Sequence, residues 1–458
     1  MKMGLIHRSL LTSFSRLIAP AATAVLTGTL LLSVATAARA QGVQPPTFSV
    51  LYTFTGGTDG AIPGAGEASA PLVLDPEGNL YGTAGYEGNV SSAWCSANLN
   101  CGVVFKVDRS GNESVLHAFA GPPDGYEPFD SVIRDQEGNL YGTTFGGGDA
   151  AQDVGTVFKL DRAGDETVLH NFANTPDGEG PAGGVIRDSE GNLYGTTWGG
   201  GDAPLEWGTV FKLGPAGKET VLYNFTGGAD GGGPWASLIR DGEGNLYGTT
   251  VTGGAGGAPG YPCTIDGVGC GVVFKLDRTG KETVLHSFTG GADGAGPFGL
   301  FQDSDGTLYG VASEGGSFGA GTPGGAGGNG VVFKVDPKGK FSVLYTFTGG
   351  ADGAVPFGTP LKIGNDLYGT AYGGGNETSA ICTSYGCGVV YRLDANGNET
   401  VLYTFTGYAD GDDPSQGLVS DGKANLYGTA QYGGDLASPA SACAGYGCGV
   451  VFKLTLHY

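Results

Sequence analysis

The sequence has no basic run, only two methionines and four tryptophans, and after its first forty residues no apolar stretch long enough to span a bilayer. With 45 Asp and Glu against 23 Lys and Arg, it offers no electrostatic footprint for nucleic acid. It lacks GxSxG, HExxH, P-loop and Rossmann signatures in a fitting context, so no familiar hydrolase, zincin or nucleotide site is expected, and no catalytic residue is assigned. Good helix formers are scarce. In their place stand 91 glycines with no G-X-Y period, so collagen is excluded, and many Thr, Tyr, Phe and Val. Apolar residues alternate with polar ones, which excludes a disordered tail and predicts an all-β protein rich in turns.

Residues 1–40 read as a signal peptide. Lys2, Arg8 and Arg16 precede an apolar stretch from Leu17 to Ala37, and Ala38-Arg39-Ala40 has the small-x-small pattern of a cleavage site. Cleavage there would remove four basic residues and take the net charge from −22 to −26. Residues 41–48 read as a short linker and 49–458 as one domain. The expectation is an exported protein, secreted, periplasmic or at the cell surface, with no transmembrane segment in the mature chain.

Four signatures recur seven times. Leu-Tyr-Gly has its tyrosine at 81, 141, 194, 247, 309, 368 and 427. Val-Phe-Lys centres on Phe105, Phe158, Phe211, Phe274, Phe333 and Phe452, with Tyr391 as a variant. Val-Leu-Tyr/His-x-Phe ends at Phe54, Phe119, Phe172, Phe225, Phe288, Phe347 and Phe405. Asp-Gly-x-x-Pro begins at Asp59, Asp124, Asp177, Asp230, Asp293, Asp352 and Asp410. Each unit reads as four short strands, a to d, joined at a–b and c–d by tight Asp/Gly turns and at b–c and d–a by longer loops. Such a unit repeated seven times predicts a seven-bladed β-propeller with four antiparallel strands per blade. The chain opens on a lone strand d, Ser49 to Phe54, and ends after a strand c. The first strand should therefore complete the last blade and remove two open edges.

The combined LYGTT…GG…GVVFKLD…GxETVLYxF pattern, from Ser49 to Leu454, resembles the GloVer tandem repeat of secreted and surface bacterial proteins. That resemblance implies a propeller. Members carry varied C-terminal attachment modules. Here only Thr455-Leu-His-Tyr458 follows the last strand, and no such module is expected. The resemblance implies no activity that can be carried to individual residues.

The eight cysteines form four local pairs in b–c loops: Cys95 with Cys101, Cys263 with Cys270, Cys382 with Cys387, and Cys443 with Cys448. Lying in separate blades, they are expected to be disulfides rather than a zinc site. Function in a repeat fold sits with variable loops, here the b–c and d–a side. That side carries Trp94, Trp198, Trp207 and Trp235, with Phe145 at the repeat position of Trp198. Trp198, Trp207, Trp235 and Phe145 are candidates for stacking on sugar rings, with gap-filling as the competing role. Arg134, Arg187 and Arg240 share one strand a position. They either face the channel as ligand contacts or pair with a repeat Asp. The seven Asp-Gly-x-x-Pro carboxylates suit turns and leave Ca²⁺ as a further expectation, with no other cofactor. His117, His170 and His286 occupy outer strands of separate blades and cannot converge on one ion. Asp202 with Glu206, and Glu127 with Asp130, are the carboxylate pairs an enzyme would use. The expected function is an exported, monomeric binding module for extracellular glycan or protein. A polysaccharide lyase or glycosidase with its site at the channel mouth is the alternative.

Overall fold

The computed structural model describes residues 44–457, apart from 66–68, 90, 99–100, 150, 203–205, 255, 257–262, 264–268, 317–326, 376–381, 383–384, 438–442 and 444. The expected signal peptide lies outside the described residues. Among the described residues no helix is long and apolar enough to cross a membrane. The only α-helix among them is Ala93–Asn98, in a b–c loop.

Seven antiparallel sheets follow one another, each in the order a-b-c-d. Blade 3 is typical: Ile186–Arg187, Leu193–Thr197, Thr209–Leu213 and Glu219–Asn224. In the last sheet strand d is Thr47–Thr53, paired antiparallel with the final strand Val450–Thr455. It begins two residues before the expected boundary, because Thr47 and Phe48 already pair with Thr455 and Leu454. The ring is thus closed as expected, with three strands from one chain end and one from the other. The first blade carries an extra strand, Ala61–Pro63, beside strand b.

The repeated signatures are the blade seams. The phenylalanine ending each strand d meets the Val-Phe-Lys ring of the next blade edge-on. Ring centroids are 5.0 Å apart for Phe54–Phe105, 5.2 Å for Phe172–Phe211 and 5.4 Å for Phe405–Phe452. Such pairs contribute about 0.5–1.5 kcal/mol each beyond burial. The glycine of Leu-Tyr-Gly lies under that same ring, where any Cβ would collide with it, as at Gly195 beneath Phe211. In the a–b turn of blade 1, Asp75 accepts hydrogen bonds from Asn79 N, Asn79 Nδ2 and Tyr81 Oη (2.8, 2.8 and 3.0 Å). Those bonds hold the Asp75 carboxyl below its usual range against the opposing effect of burial.

The axis is closed by the starts of the innermost strands. Asp130, 1% exposed, accepts from Ala70 N, Ser131 N, Gly184 N and Ser237 Oγ, at 3.0, 2.9, 2.7 and 2.8 Å. It thereby ties blade 2 to blades 1, 3 and 4. From the other side Ser69 O accepts Thr359 N and Gly417 N at 2.9 and 3.2 Å. These bonds across the axis give the long-loop side a floor.

Candidate functional site

Two columns of the repeat line the mouth above that floor. One is the residue before the proline of Asp-Gly-x-x-Pro. It takes a left-handed conformation in every blade: Ile62 (φ 57°), Glu127 (55°), Gly180 (59°), Gly233 (60°), Gly296 (57°), Val355 (55°) and Asp413 (58°). Four of these are not glycine, and a β-branched Ile or Val at positive φ is strained. The other column follows strand b: Gly85, Phe145, Trp198, Val251, Ser313, Tyr372 and Gln431. The columns interlock. A Cβ on Gly180 would meet the Phe145 ring, and one on Gly233 would approach Trp198.

The result is a mouth with two unlike sectors. Across blades 1 to 4 runs a track of rings: Tyr86–Phe129 (6.3 Å), Phe129–Phe145 (5.3 Å), Phe145–Trp235 (6.0 Å) and Trp235–Trp198 (6.1 Å). Phe129 is buried, whereas Phe145, Trp198 and Trp235 remain partly exposed. The Trp235 indole N–H is buried without a hydrogen-bond partner. A second track, Phe298–Phe357–Tyr372 (4.9 and 5.7 Å), leads into the polar sector. There the Tyr372 hydroxyl bonds Asp413, and burial, then Asp412, pushes the Asp413 carboxyl well up. Burial, then Asp153, raises Glu127 to about 7. Tyr86 feels Glu127 and Tyr432, and Tyr432 feels Asp413, so the two carboxyls belong to one arc.

Of the expected ligand residues, Trp198, Trp235 and Phe145 come together here. Trp207 does not. Its indole packs on Gly227 and Gly232 of the following d–a loop, where a Cβ on either would collide with it. Trp94 fills the matching place in blade 1, against Gly121 and 4.4 Å from the Tyr126 ring. Both tryptophans cover loop bases. Arg134, Arg187 and Arg240 lie at the opposite end of the blades, each the last residue of a strand a. They stack on the Leu-Tyr-Gly tyrosine of the preceding blade, over Tyr81, Tyr141 and Tyr194 at 5.7, 5.5 and 5.8 Å. Arg134 and Arg187 help lower the carboxyls of Asp75 and Asp135. The reading in which they face the mouth is corrected, because strand a runs away from the mouth and delivers its last residue to the a–b turn.

The Asp-Gly-x-x-Pro carboxylates are turned back on their own strands. Asp59 accepts Thr55 N, Gly57 N and Tyr52 Oη at 2.7, 3.1 and 2.8 Å. His117, His170 and His286 bond Asp124, Asp177 and Asp293 at 3.0, 3.0 and 3.1 Å, one pair per blade, as their outer-strand placement implies. A calcium ion would have to displace these bonds.

All four expected disulfides form. Cys95 is joined to Cys101 with a Cα–Cα distance of 5.4 Å, and Cys263 to Cys270 with 5.1 Å. Cys382 is joined to Cys387 with 5.0 Å, and Cys443 to Cys448 with 5.1 Å. In each pair the second member, Cys101, Cys270, Cys387 or Cys448, is buried directly before the glycine that leads into strand c. The bond thus ties the end of a b–c loop to the rigid sheet. Cys382, Cys387 and Asp412 lie close enough to share an ion, but the two sulfurs are bonded to each other, which leaves no thiolate to donate.

Asp202 is tied to Asn224 on strand d, and Glu206 is exposed, so that pair stands outside the mouth. Glu127 lines the mouth, while Asp130 is consumed by the axis. A depression of about 600 Å³ among Gly242, Asn245, Asp277 and Arg278 lies between short turns on the far side.

The two ends differ most in charge. Four of the 23 Lys and Arg precede residue 44. The other 19 all sit in the last two places of a strand a, at the fourth place of a strand c, or in the a–b and c–d turns. The described part of the mouth side has acids, among them Glu87, Glu127, Asp153, Glu179, Asp412 and Asp413, and neither Lys nor Arg. Sequence reading missed Tyr86, Phe129, Tyr372, Tyr432 and Asp413. For Tyr372 and Asp413 the signal was present, as the two columns in which the repeat varies.

None of the curated proteins matches this sequence. Among solved structures, a catalytically inactive His-to-Ala variant of virginiamycin B lyase from Staphylococcus aureus, bound to quinupristin, superposes with a TM-score of 0.52 at 13% identity. The match covers 90% of this chain and 99% of that one. A streptogramin B lyase gives 0.53 at 14%, covering 90% and 98%. At this identity the likeness is one of fold. The model of the Gloeobacter/Verrucomicrobia repeat matches twice, over residues 150–323 and 268–457. The chain belongs to the Gloeobacter/Verrucomicrobia repeat family.

Proposed function

We propose that this propeller is an exported binding module that recognises extracellular glycan at the mouth of its long-loop side. The observation that carries the reading is the ring track Phe145–Trp235–Trp198, partly open to solvent and built from positions where the blades differ. Residues repeated in every blade serve the scaffold, whereas these serve one place. Flat rings beside carboxyl and amide groups suit the C–H faces and hydroxyls of a sugar. The four disulfides fit an oxidising compartment.

The test is a glycan array probed with the mature chain and with Trp198→Ala and Trp235→Ala, using Trp207→Ala as the packing control. Binding lost in the first two and kept in the third supports the reading. No bound glycan, or binding indifferent to Trp198 and Trp235, overturns it.

The enzyme alternative draws on one observation, the Glu127 carboxyl held near about 7 by burial, which suits a general acid. Two features weigh against a uronate-cleaving lyase. Among the described residues the mouth has no Lys or Arg to neutralise a substrate carboxylate, and His117, His170 and His286 are engaged on outer strands. Product release from a panel of neutral and acidic polysaccharides, lost in Glu127→Gln, would replace the binding reading with a catalytic one.

A further inference from the structure

We infer that the glycan proposed above is a long linear chain, which runs from the ring track across the mouth and leaves over the rim of blade 7. The inference rests on that reading and narrows it to a polymer, as opposed to a terminal sugar or a disaccharide.

Among the described residues three aromatic side chains are exposed: Tyr385, Tyr408 and Tyr446, at 39%, 47% and 57%. All three lie on the long-loop side of blades 6 and 7. Each stands on a fixed backbone. Tyr446 sits inside the ring closed by Cys443 and Cys448, and Tyr385 holds the matching place inside the ring closed by Cys382 and Cys387. The Tyr446 and Tyr408 carbonyls accept the consecutive amides Gly433 N and Gly434 N, both at 2.7 Å. Tyr408 stands where other blades have Gly57, Gly228, Gly291 and Gly350, so the loop does not need its ring. Rigid, exposed rings bind at little cost in conformational entropy.

The patch continues the mouth. The Tyr446 ring lies 6.2 Å from that of Tyr432. Tyr432 packs on the same core cluster as Tyr86, Phe129 and Phe145, the near end of the track that leads to Trp235 and Trp198. Around the Tyr408 and Tyr446 rings the chain is chiefly glycine: Gly407, Gly445 and Gly447 beside them in sequence, Gly433 and Gly434 bonded across. A protein interface is built on a contiguous apolar core with aromatic and arginine anchors. Single rings standing among glycines do not supply that core, whereas each can hold the C–H face of one sugar unit. Rings set one after another from mouth to rim therefore match a repeating ligand, whose linked contacts multiply along one chain. A short saccharide seated on Trp198 and Trp235 leaves the Tyr446 end of the path unused.

Titration calorimetry of the mature chain tests this with neutral oligosaccharide series from the dimer upward: β-1,4-glucan, β-1,4-xylan, β-1,4-mannan and β-1,3-glucan. Within the series that binds, affinity is expected to rise about tenfold or more from the dimer to the longest member. The double variant Tyr408→Ala/Tyr446→Ala removes that increment and leaves the dimer affinity within about twofold of wild type, because only the rim end of the path is lost. Trp198→Ala weakens every length. Both tyrosines are exposed, so the double variant should keep the urea midpoint of the wild type, and Tyr446→Phe, which retains the ring, should keep the increment. Affinity independent of length, with Trp198 still required, overturns the long chain and leaves the glycan reading intact. A length increment untouched by the double variant also overturns it. A wild-type dimer on size exclusion that the double variant abolishes gives these rings to a second copy of the chain and overturns it as well. No binding in any series removes both readings.

Discussion

The short-turn half and the long-loop half of each blade are built from the same strands, yet they obey different rules. At the turn end four blades repeat one another closely. The turn aspartate is capped by Asn79, Asn139, Asn192 and Asn245, and the Leu-Tyr-Gly tyrosine closes on it at 3.0 Å in four blades. Lys and Arg neutralise that surface. At the loop end the backbone repeats, down to one left-handed residue per blade, while the side chains do not. A fold can keep a strained backbone position in all seven blades and let only its side chain vary. That arrangement yields a rigid rim with a composition specific to this protein. If the comparison is right, damage to the repeated half should be read in stability, and damage to the varied half in binding.

The largest effect should come from removing Thr47–Thr53. Blade 7 would lose its outer strand, and Val450–Thr455 would become an exposed edge. We expect the truncated protein to lose its cooperative thermal transition by circular dichroism and to leave the monomer position on size exclusion. A sharp transition at the original temperature would show that the ring closes without this strand. Next is Phe211→Ala. The ring is fully buried between Phe172 and Gly195, and its loss should cost about 3–5 kcal/mol in urea unfolding. Trp198→Ala, partly exposed at the mouth, should cost about 1 kcal/mol while abolishing glycan binding. If the two variants were equally destabilised, the division of labour between the halves would fail.

How much of this could be read in the chain follows the same division. Four signatures counting to seven fix the blade number, the strand order and the closure, because the strand d signature of one blade meets the strand c signature of the next at each seam. The phenylalanines are legible as a set because Phe54 does for blade 1 what Phe172 does for blade 3. The cysteines are legible as pairs for a similar reason: Cys101, Cys270, Cys387 and Cys448 hold one repeat position, and each has its partner five to seven residues earlier. The mouth is legible only as the columns where repetition stops. Their meaning depends on a backbone angle at Glu127 and Asp413 that no residue type announces. Trp207 and Trp198 look alike in sequence, nine positions apart in one loop. One precedes the glycine that opens strand c and is drawn under the neighbouring loop. The other follows strand b and faces the axis. The arginines could have been placed from the sequence, since a residue directly before an a–b turn aspartate must lie at the turn end.

A third measurement probes the seams between the two halves. Glu113, Glu166, Glu219, Glu282 and Glu399 open strand d in five blades. Each is half-buried with an unpartnered Oε1 and is held near about 7 chiefly by burial. They face the preceding blade's groups: Asp59 with Tyr52, Asp124 with His117, Asp177 with His170, Asp230 with Tyr223, and Asp352 with Tyr345. In the other two seams an aromatic ring takes the glutamate's place. Phe341 stacks on His286 at 3.6 Å, and Phe48 on Tyr403 at 3.8 Å. A carboxyl whose pKa is raised on folding stabilises fully below its unfolded value and loses that contribution as pH rises through the folded value. Stability should therefore fall between about pH 5 and pH 8, by about 1 kcal/mol or less per glutamate after screening. The turn aspartates, held low, act oppositely and lose their contribution only as pH falls below about 4. Urea midpoints across this range, with all five glutamates changed to Gln, should turn a declining curve into a flat one. A wild-type curve that rises from pH 5 to 8 would contradict the seam assignment.

The smallest effect should belong to Arg187→Ala and Arg240→Ala. Each guanidinium lies over a tyrosine of the preceding blade at the turn end, exposed to solvent. Exposed cation–π contacts contribute about 0.5–1 kcal/mol, so urea midpoints should shift only slightly. Glycan binding should not change at all, since strand a carries these residues away from the mouth. An affinity loss comparable to that of Trp198→Ala would mean that ligand reaches the turn half, and the contrast between the two ends would have to be given up.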